Sequence, residues 1–178
     1  SYYLANLAFI AAYQKQNDLV SRLVTLATFY NNQTLKDSPK NVNYWKTRGK
    51  NDYLFYQIEL DKKYLEDGIE ALNQASKFAP TDPKIPYSLA IYYSLLNDDY
   101  GSAKDPQNQK RALLYKTLSL NNIDKSIELK KDYRDAYFLQ AQLLKKYGDR
   151  SGAKETLEYI IKNLNSNDQE AIKELKEL

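Results

Sequence analysis

The sequence predicts an all-α fold, and three observations predict it. Apolar residues recur at spacings of three and four along most of the chain, which is the period of helices with one buried face. No segment shows the strict alternation of a half-buried strand. Only five Gly and five Pro punctuate 178 residues, and turn or capping residues stand where the apolar runs begin, as at Asn17-Asp18, Asp61 and Asn167-Asp168.

Taken in order, residues 2–16 read as a first helix with Tyr3, Leu4, Leu7, Ala8 and Ala11 on one face. Asn17-Asp18 opens a second, with Val20, Leu23-Val24, Ala27 and Tyr30-Asn31 along one side; its stop signal comes only at Asp37-Ser38-Pro39. A third helix runs from about Val42 to Ile58. A fourth, capped by Asp61, turns Tyr64-Leu65, Ile69, Leu72 and Ala75 inward. Ala79-Pro80-Thr81-Asp82-Pro83 is a turn in which Pro ends one helix and opens the next. The fifth helix carries Leu89, Ala90 and Tyr93 and is expected to turn at Asn97-Asp98, followed by a surface loop over 99–106 around Gly101, Ser102 and Pro106. A long helix from about 107 to 130 follows, its core face being Ala112, Tyr115, Ser119, Ile123 and Ile127.

The clearest unit is Arg134–Asn167, RDAYFLQAQLLKKYGDRSGAKETLEYIIKNLNSN. Two helices meet at Gly148-Asp149; the first buries Ala136, Tyr137, Gln140-Ala141 and Leu144, the second Ala153, Leu157 and Ile160-Ile161. This unit resembles a tetratricopeptide repeat (TPR), whose pattern is W-x2-L-G-x2-Y…A-x3-F…P. Tyr137, Ala141, Leu144, Ala153 and Leu157 stand at the Trp, Gly, Tyr, Ala and Phe places; Gln140 and Asn165 depart from the usual Leu and Pro. The resemblance implies a right-handed α-solenoid of about four TPR helix-turn-helix repeats, at about 1–40, 41–82, 83–133 and 134–167. A capping helix at 168–178, with Ala171, Ile172 and Leu175 apolar, closes a single domain.

The other repeats are irregular. In the first, Leu7, Ala8, Ala11, Val20, Val24 and Ala27 fit the pattern, but the second helix overruns by about seven residues, or two turns. In the next, Trp45 and Gly49 fit if counted from Pro39, whereas Ala75 and Pro80 fit only if counted from Gly49. The third helix is therefore longer by the same amount, so two antiparallel neighbours extend together. Pro83 and Arg134 stand about 51 residues apart where a regular repeat takes about 34.

Composition narrows the function. Without Cys there is no disulfide, thiol nucleophile or zinc-thiolate site, and without His the commonest general base and metal ligand is missing. The adjacent acids Glu66-Asp67 and Asp98-Asp99 read as caps and solvated charge, and NDDYGSAKD lacks the spacing of a calcium loop. No phosphate-binding glycine motif occurs. No catalytic residue, cofactor or metal site is expected, and the chain is not expected to be an enzyme. A net charge of +3 is too small to argue for nucleic acid by itself. The absence of Met, even at position 1, reads as a fragment of something longer; the apolar start is too short and too interrupted to span a membrane. The compartment is left open.

The TPR resemblance also implies a concave groove lined by the first helix of each repeat. Carried over, that face holds Tyr2 and Phe9 with Tyr13 just beyond; Asn43, Lys46, Lys50, Tyr53 and Gln57; Lys84, Tyr87, Ile91 and Ser94; then Asp135, Phe138, Gln142 and Lys145. Aromatic anchors among lysines and amides suit a peptide or partner protein. A protein-interaction scaffold is the leading expectation. A narrower resemblance, carried by NVNYW, a pair of long helices, APTDPKIPYSLAIYY and the regular last repeat, is to the soluble C-terminal TPR region of bacterial O-antigen ligase/polymerase-type membrane proteins. It implies an extracytoplasmic domain of a membrane glycan ligase or polymerase, linked to the membrane only through a missing segment. Single-stranded nucleic acid is a further alternative, as is a clamp for acidic C-termini through Asn43, Lys46 and Lys50.

Overall fold

The computed structural model describes residues 1–103 and 105–178. Among them are nine α-helices and no strand: α1 (Tyr2–Tyr13), α2 (Asn17–Asp37), α3 (Val42–Glu59), α4 (Lys62–Phe78), α5 (Lys84–Gly101), α6 (Pro106–Leu129), α7 (Arg134–Lys146), α8 (Arg150–Tyr159) and α9 (Gln169–Lys176). A π-turn, Ile160–Leu164, extends α8. The chain forms two compact units, Ser1–Ile85 and Pro86–Leu178.

In the first unit, α1 packs against both α2 and α3, and α3 pairs closely with α4. Ala5, Ala27 and Phe55 form its centre, with Leu4, Val24, Leu54, Ile58 and Tyr64 packed around them. Phe55 and Tyr64 meet edge to face at 5.6 Å. Asn41 and Asp61 cap α3 and α4 by accepting from the backbone N–H of Asn43 and Lys63. Gly49 is required by close approach: a Cβ there would stand 3.0 Å from Leu72 Cγ. The expected lengthening of α2 and α3 is present, since α2 runs to Asp37 and α3 from Val42 to Glu59.

Three expectations in this unit are corrected. The first helix ends at Tyr13 rather than at residue 16, because Lys15 takes φ +60° in the turn to α2. Tyr3 and Leu7 do not face the core; they are 85% and 51% exposed, while Ala5, Ala8 and Ala11 are buried. Small side chains let α2 and α3 come close on that side, which leaves the bulkier stripe outside. Tyr30 is likewise exposed. Its neighbour Asn31 takes the buried place and donates to the carbonyl of Tyr44 at 3.3 Å.

The second unit is built on Ala90, Ile123, Ile127, Ala136 and Leu143, and then on Ala141, Leu157, Ile160 and Ala171. Ser119, fully buried, donates to the carbonyl of Ala90 at 2.8 Å. Four of the five core positions expected on α6 are buried; Tyr115 is half-buried among Tyr93 and Tyr100, at 5.9 and 5.5 Å. The expected loop over 99–106 is corrected, as α5 continues through Gly101. Tyr100 is buried beside Tyr115, and the side chain of Asn97 donates to the carbonyl of Ala112 at 2.8 Å instead of breaking the helix. Asp105 then caps α6 by accepting from Asn108 N–H at 3.0 Å; Lys104 of that expected loop lies outside the described residues.

Gly148 adopts φ +92° between α7 and α8, a conformation that glycine takes without strain. Asp149 caps α8 through Gly152 N–H. The last cap is stronger. Asp168, buried, accepts from Ala171 N–H at 3.0 Å and from Arg134 of α7.

Candidate binding surfaces

Each unit presents its own stripe of the side chains that the TPR resemblance places on the groove. On α3 the spacing of Asn43, Lys46, Lys50, Tyr53 and Gln57 keeps them on one side of a 3.6-residue helix. On α1, Tyr2, Phe9 and Tyr13 do the same and are 41%, 40% and 90% exposed. The two stripes touch, because Lys50 Nζ lies 5.5 Å from the centre of the Tyr2 ring. Gln57 donates to the hydroxyl of Tyr53 at 2.8 Å. Burial raises the phenol pKa of Tyr53, with the Gln57 hydrogen bond pulling the other way.

The lysines of these stripes are not equivalent. Lys46 donates to Asp82 Oδ2 at 2.7 Å, and Asp82 also accepts from Lys84 N–H at 2.9 Å. Burial alone would raise the Asp82 carboxyl, but Lys46 and the backbone donor outweigh it and hold it below the usual carboxylate range. In the second unit, Lys145 is paired with Glu174 at 2.7 Å. Lys50 and Lys84 are exposed.

The rings of the second unit are committed to packing. Tyr87 lies 5.4 Å from Tyr133, and Phe138 carries the guanidinium of Arg134 4.5 Å above its ring centre. Ile91 is half-buried, Ser94 is buried and accepts from Lys146 at 2.7 Å, Asp135 meets Arg134 at 3.4 Å, and Gln142 is exposed. The stripe on α1 and α3 is thus the more open of the two.

Sequence reasoning passed over a cavity of about 400 Å³ in the first unit. Its walls come from the last two turns of α2 (Asn32, Leu35), the start of α3 (Trp45, Arg48) and the outer side of α4 (Asp67, Glu70, Ala71). A partial signal was the lengthening of α2, whose last two turns supply Asn32 and Leu35 to the lining. Trp45 holds its own turn by donating Nε1–H to the Pro39 carbonyl at 2.7 Å. Arg48 donates to Asn32 at 2.8 Å and to Asp52 at 3.1 Å. Asp52 is almost fully buried, and burial pushes its carboxyl up to about 7 against the opposing pull of Arg48.

Neither a family model nor a curated protein matches the sequence. Solved structures do match the fold. A crystal structure of MamA protein aligns over 97% of this chain and 79% of its own, at 18% identity and a TM-score of 0.50. A second, of MamA, aligns over 93% of this chain and 90% of its own, at 19% identity and a TM-score of 0.54. The chain is similar in fold to MamA. At such identities the likeness concerns the fold, and it shows the TPR-type helical-repeat class that the sequence predicts. No helix among the described residues is long and apolar enough to cross a membrane.

Proposed function

We propose that the chain is a non-catalytic interaction scaffold that holds a peptide or a segment of a partner protein along the α1 and α3 stripe of its first unit. The observation that carries this reading is the contact of Lys50 with the Tyr2 ring, which joins an aromatic row to a row of lysine and amide side chains. Exposed rings give rigid apolar contact area at low entropic cost, and Lys50, Asn43 and Gln57 supply polar contacts around them. Phe138, Gln142 and Lys145 belong to the separate stripe of the second unit, where packing and the Glu174 pair already engage two of them. No cofactor is part of this reading. The test is a peptide selected from a displayed library against the wild-type protein. Its affinity is then measured for a Phe9→Ala/Tyr13→Ala/Lys50→Ala variant, expected to bind at least tenfold more weakly. Unchanged affinity with an unchanged melting curve removes the stripe from the function.

A second reading places the domain outside the membrane in a bacterial glycan ligase or polymerase. It is supported by the segment NVNYW at the start of α3 and APTDPKIPYSLAIYY after α4, with the long helices α3 and α4 between them. The check is the reading frame around this sequence, where a multi-span apolar region is expected. Binding of single-stranded nucleic acid is less favoured, because Lys46 and Lys145 are already paired with Asp82 and Glu174. A salt-dependent oligonucleotide titration separates it from peptide binding.

A further inference from the structure

The cavity between α2, α3 and α4 differs in chemistry and position from the α1–α3 stripe. On α3, Trp45 and Arg48 lie roughly 100° or more around the helix from the Lys46–Lys50–Tyr53 line. Four features bear on what the cavity accepts. Its one aromatic wall is Trp45, whose N–H is already satisfied by Pro39, so the ring offers only its face and edge. Asp67 and Glu70 stand one turn apart on the same side of α4, and neither is paired with a cation among the described residues. The one cation of the lining, Arg48, is held in place by Asn32 and by the buried Asp52 beneath it. The remaining charge of the lining is negative.

We propose that this cavity receives the side chain of an arginine or lysine carried by a partner polypeptide, with Trp45 against its face and Asp67 and Glu70 as the two acceptors. A guanidinium suits the place best. It stacks on an indole and presents several planar N–H donors, so two carboxylates one helical turn apart can both be reached. A volume of about 400 Å³ is large enough for such a side chain and its flanking backbone. Anionic ligands are disfavoured by the same two carboxylates. Leu35, near the C-terminal end of the lengthened α2, lines this cavity together with Trp45 of α3. The site is independent of the α1–α3 stripe, so either can fail without the other.

Trp45 is the single tryptophan of the chain, so intrinsic fluorescence reports on this cavity directly. The peptide acetyl-Gly-Arg-Gly-amide is titrated while the Trp45 emission is followed. The control is the same peptide with citrulline in place of arginine, which keeps the shape and removes the charge. A saturable change with the arginine peptide and none with citrulline is expected. At least tenfold weaker binding is expected for Asp67→Asn/Glu70→Gln, whose side chains are near-isosteric with the originals. Phe9→Ala, on the other face, should leave the titration as in the wild type. Three results overturn the proposal: no saturable change, an equal response to the citrulline peptide, or wild-type affinity in the double variant with an unchanged melting curve.

Discussion

Arg134 holds Asp168 with two nitrogens, Nε at 2.7 Å from Oδ2 and Nη2 at 2.8 Å from Oδ1. The pair joins the first turn of α7 to the residue that caps α9, and Glu170 adds a third contact at 2.7 Å. Arg134 is therefore the clasp of the terminal helix. Its hydrogen bonds to Asp168 raise its own pKa further, and the same bonds hold the Asp168 carboxyl below the usual carboxylate range.

Removing the clasp leaves a buried carboxylate without its cation. Arg134→Gln is expected to cost about 2 kcal/mol, in the range of charge-assisted hydrogen bonds. The loss should be local first, so amide exchange over 169–176 accelerates more than exchange over α6. Because the Asp168 pKa is depressed on folding, its contribution is present above the ordinary carboxylate pKa and lost as pH falls below it. Protection of α9 should hold from neutral pH down to about 4 and decline below that. Equal protection of α9 in the variant and the wild type would show that the pair does not hold it.

Gly49→Ala sets helix propensity against packing. The added methyl favours α3 by about 1 kcal/mol, but its Cβ would meet Leu72 at 3.0 Å. Overpacking of that kind costs about 1–3 kcal/mol. A net loss is expected, read as a lower urea midpoint, and a Gly49→Ala/Leu72→Ala double variant should recover part of the difference attributable to the clash. A stabilised single variant would mean that Leu72 moves aside freely.

Leu60 closes α3 in the left-handed conformation, φ +54°, and is 73% exposed. That conformation costs a residue with a Cβ about 1–2 kcal/mol, whereas glycine adopts it readily. Leu60→Gly should therefore raise the melting temperature, by an amount matching somewhat less than 1 kcal/mol once the added freedom of the unfolded chain is subtracted.

Asp52 makes the stability of the first unit depend on pH in the unusual direction. Its carboxyl is pushed by burial to about 7, while in the unfolded chain it titrates near its model value of 3.8. Between those values the folded state holds a proton that the unfolded state has lost. Stability from this group is therefore complete below about 4, falls as pH rises toward about 7, and is flat above. The urea midpoint should fall between pH 5 and 7, and Asp52→Asn should flatten that slope, with its smallest loss or a gain relative to the wild type at pH 7 and above, where the wild-type carboxylate is ionised and buried. An unchanged slope in the variant would assign the effect to another group.

The helices were largely legible because their signals are local. Asp61 announces α4, and Pro39, Pro80 and Gly148 punctuate the turns, each through backbone chemistry that acts within a few residues. Gly49 was legible as a pattern residue, and Leu72 supplies its reason. The continuation of α5 past Asn97-Asp98 is not legible in local sequence, because it rests on Tyr100 meeting Tyr115 and on Asn97 reaching Ala112, contacts 15 residues apart in the chain.

By itself, the sequence determined the helical class, the repeat character, the paired lengthening of α2 and α3, the turn at Gly148-Asp149, and the caps at Asp61 and Asp168. All of these follow from periodicity and short-range hydrogen bonding. The tertiary structure decided which side of each helix is covered. Alanines rather than Tyr3 and Leu7 face the neighbours of α1, because small residues allow the closest packing. It also decided which lysines are already paired, and it brought Trp45, Asp67 and Glu70 around one cavity. Those outcomes depend on helices meeting across long separations in the chain, which local spacing does not encode.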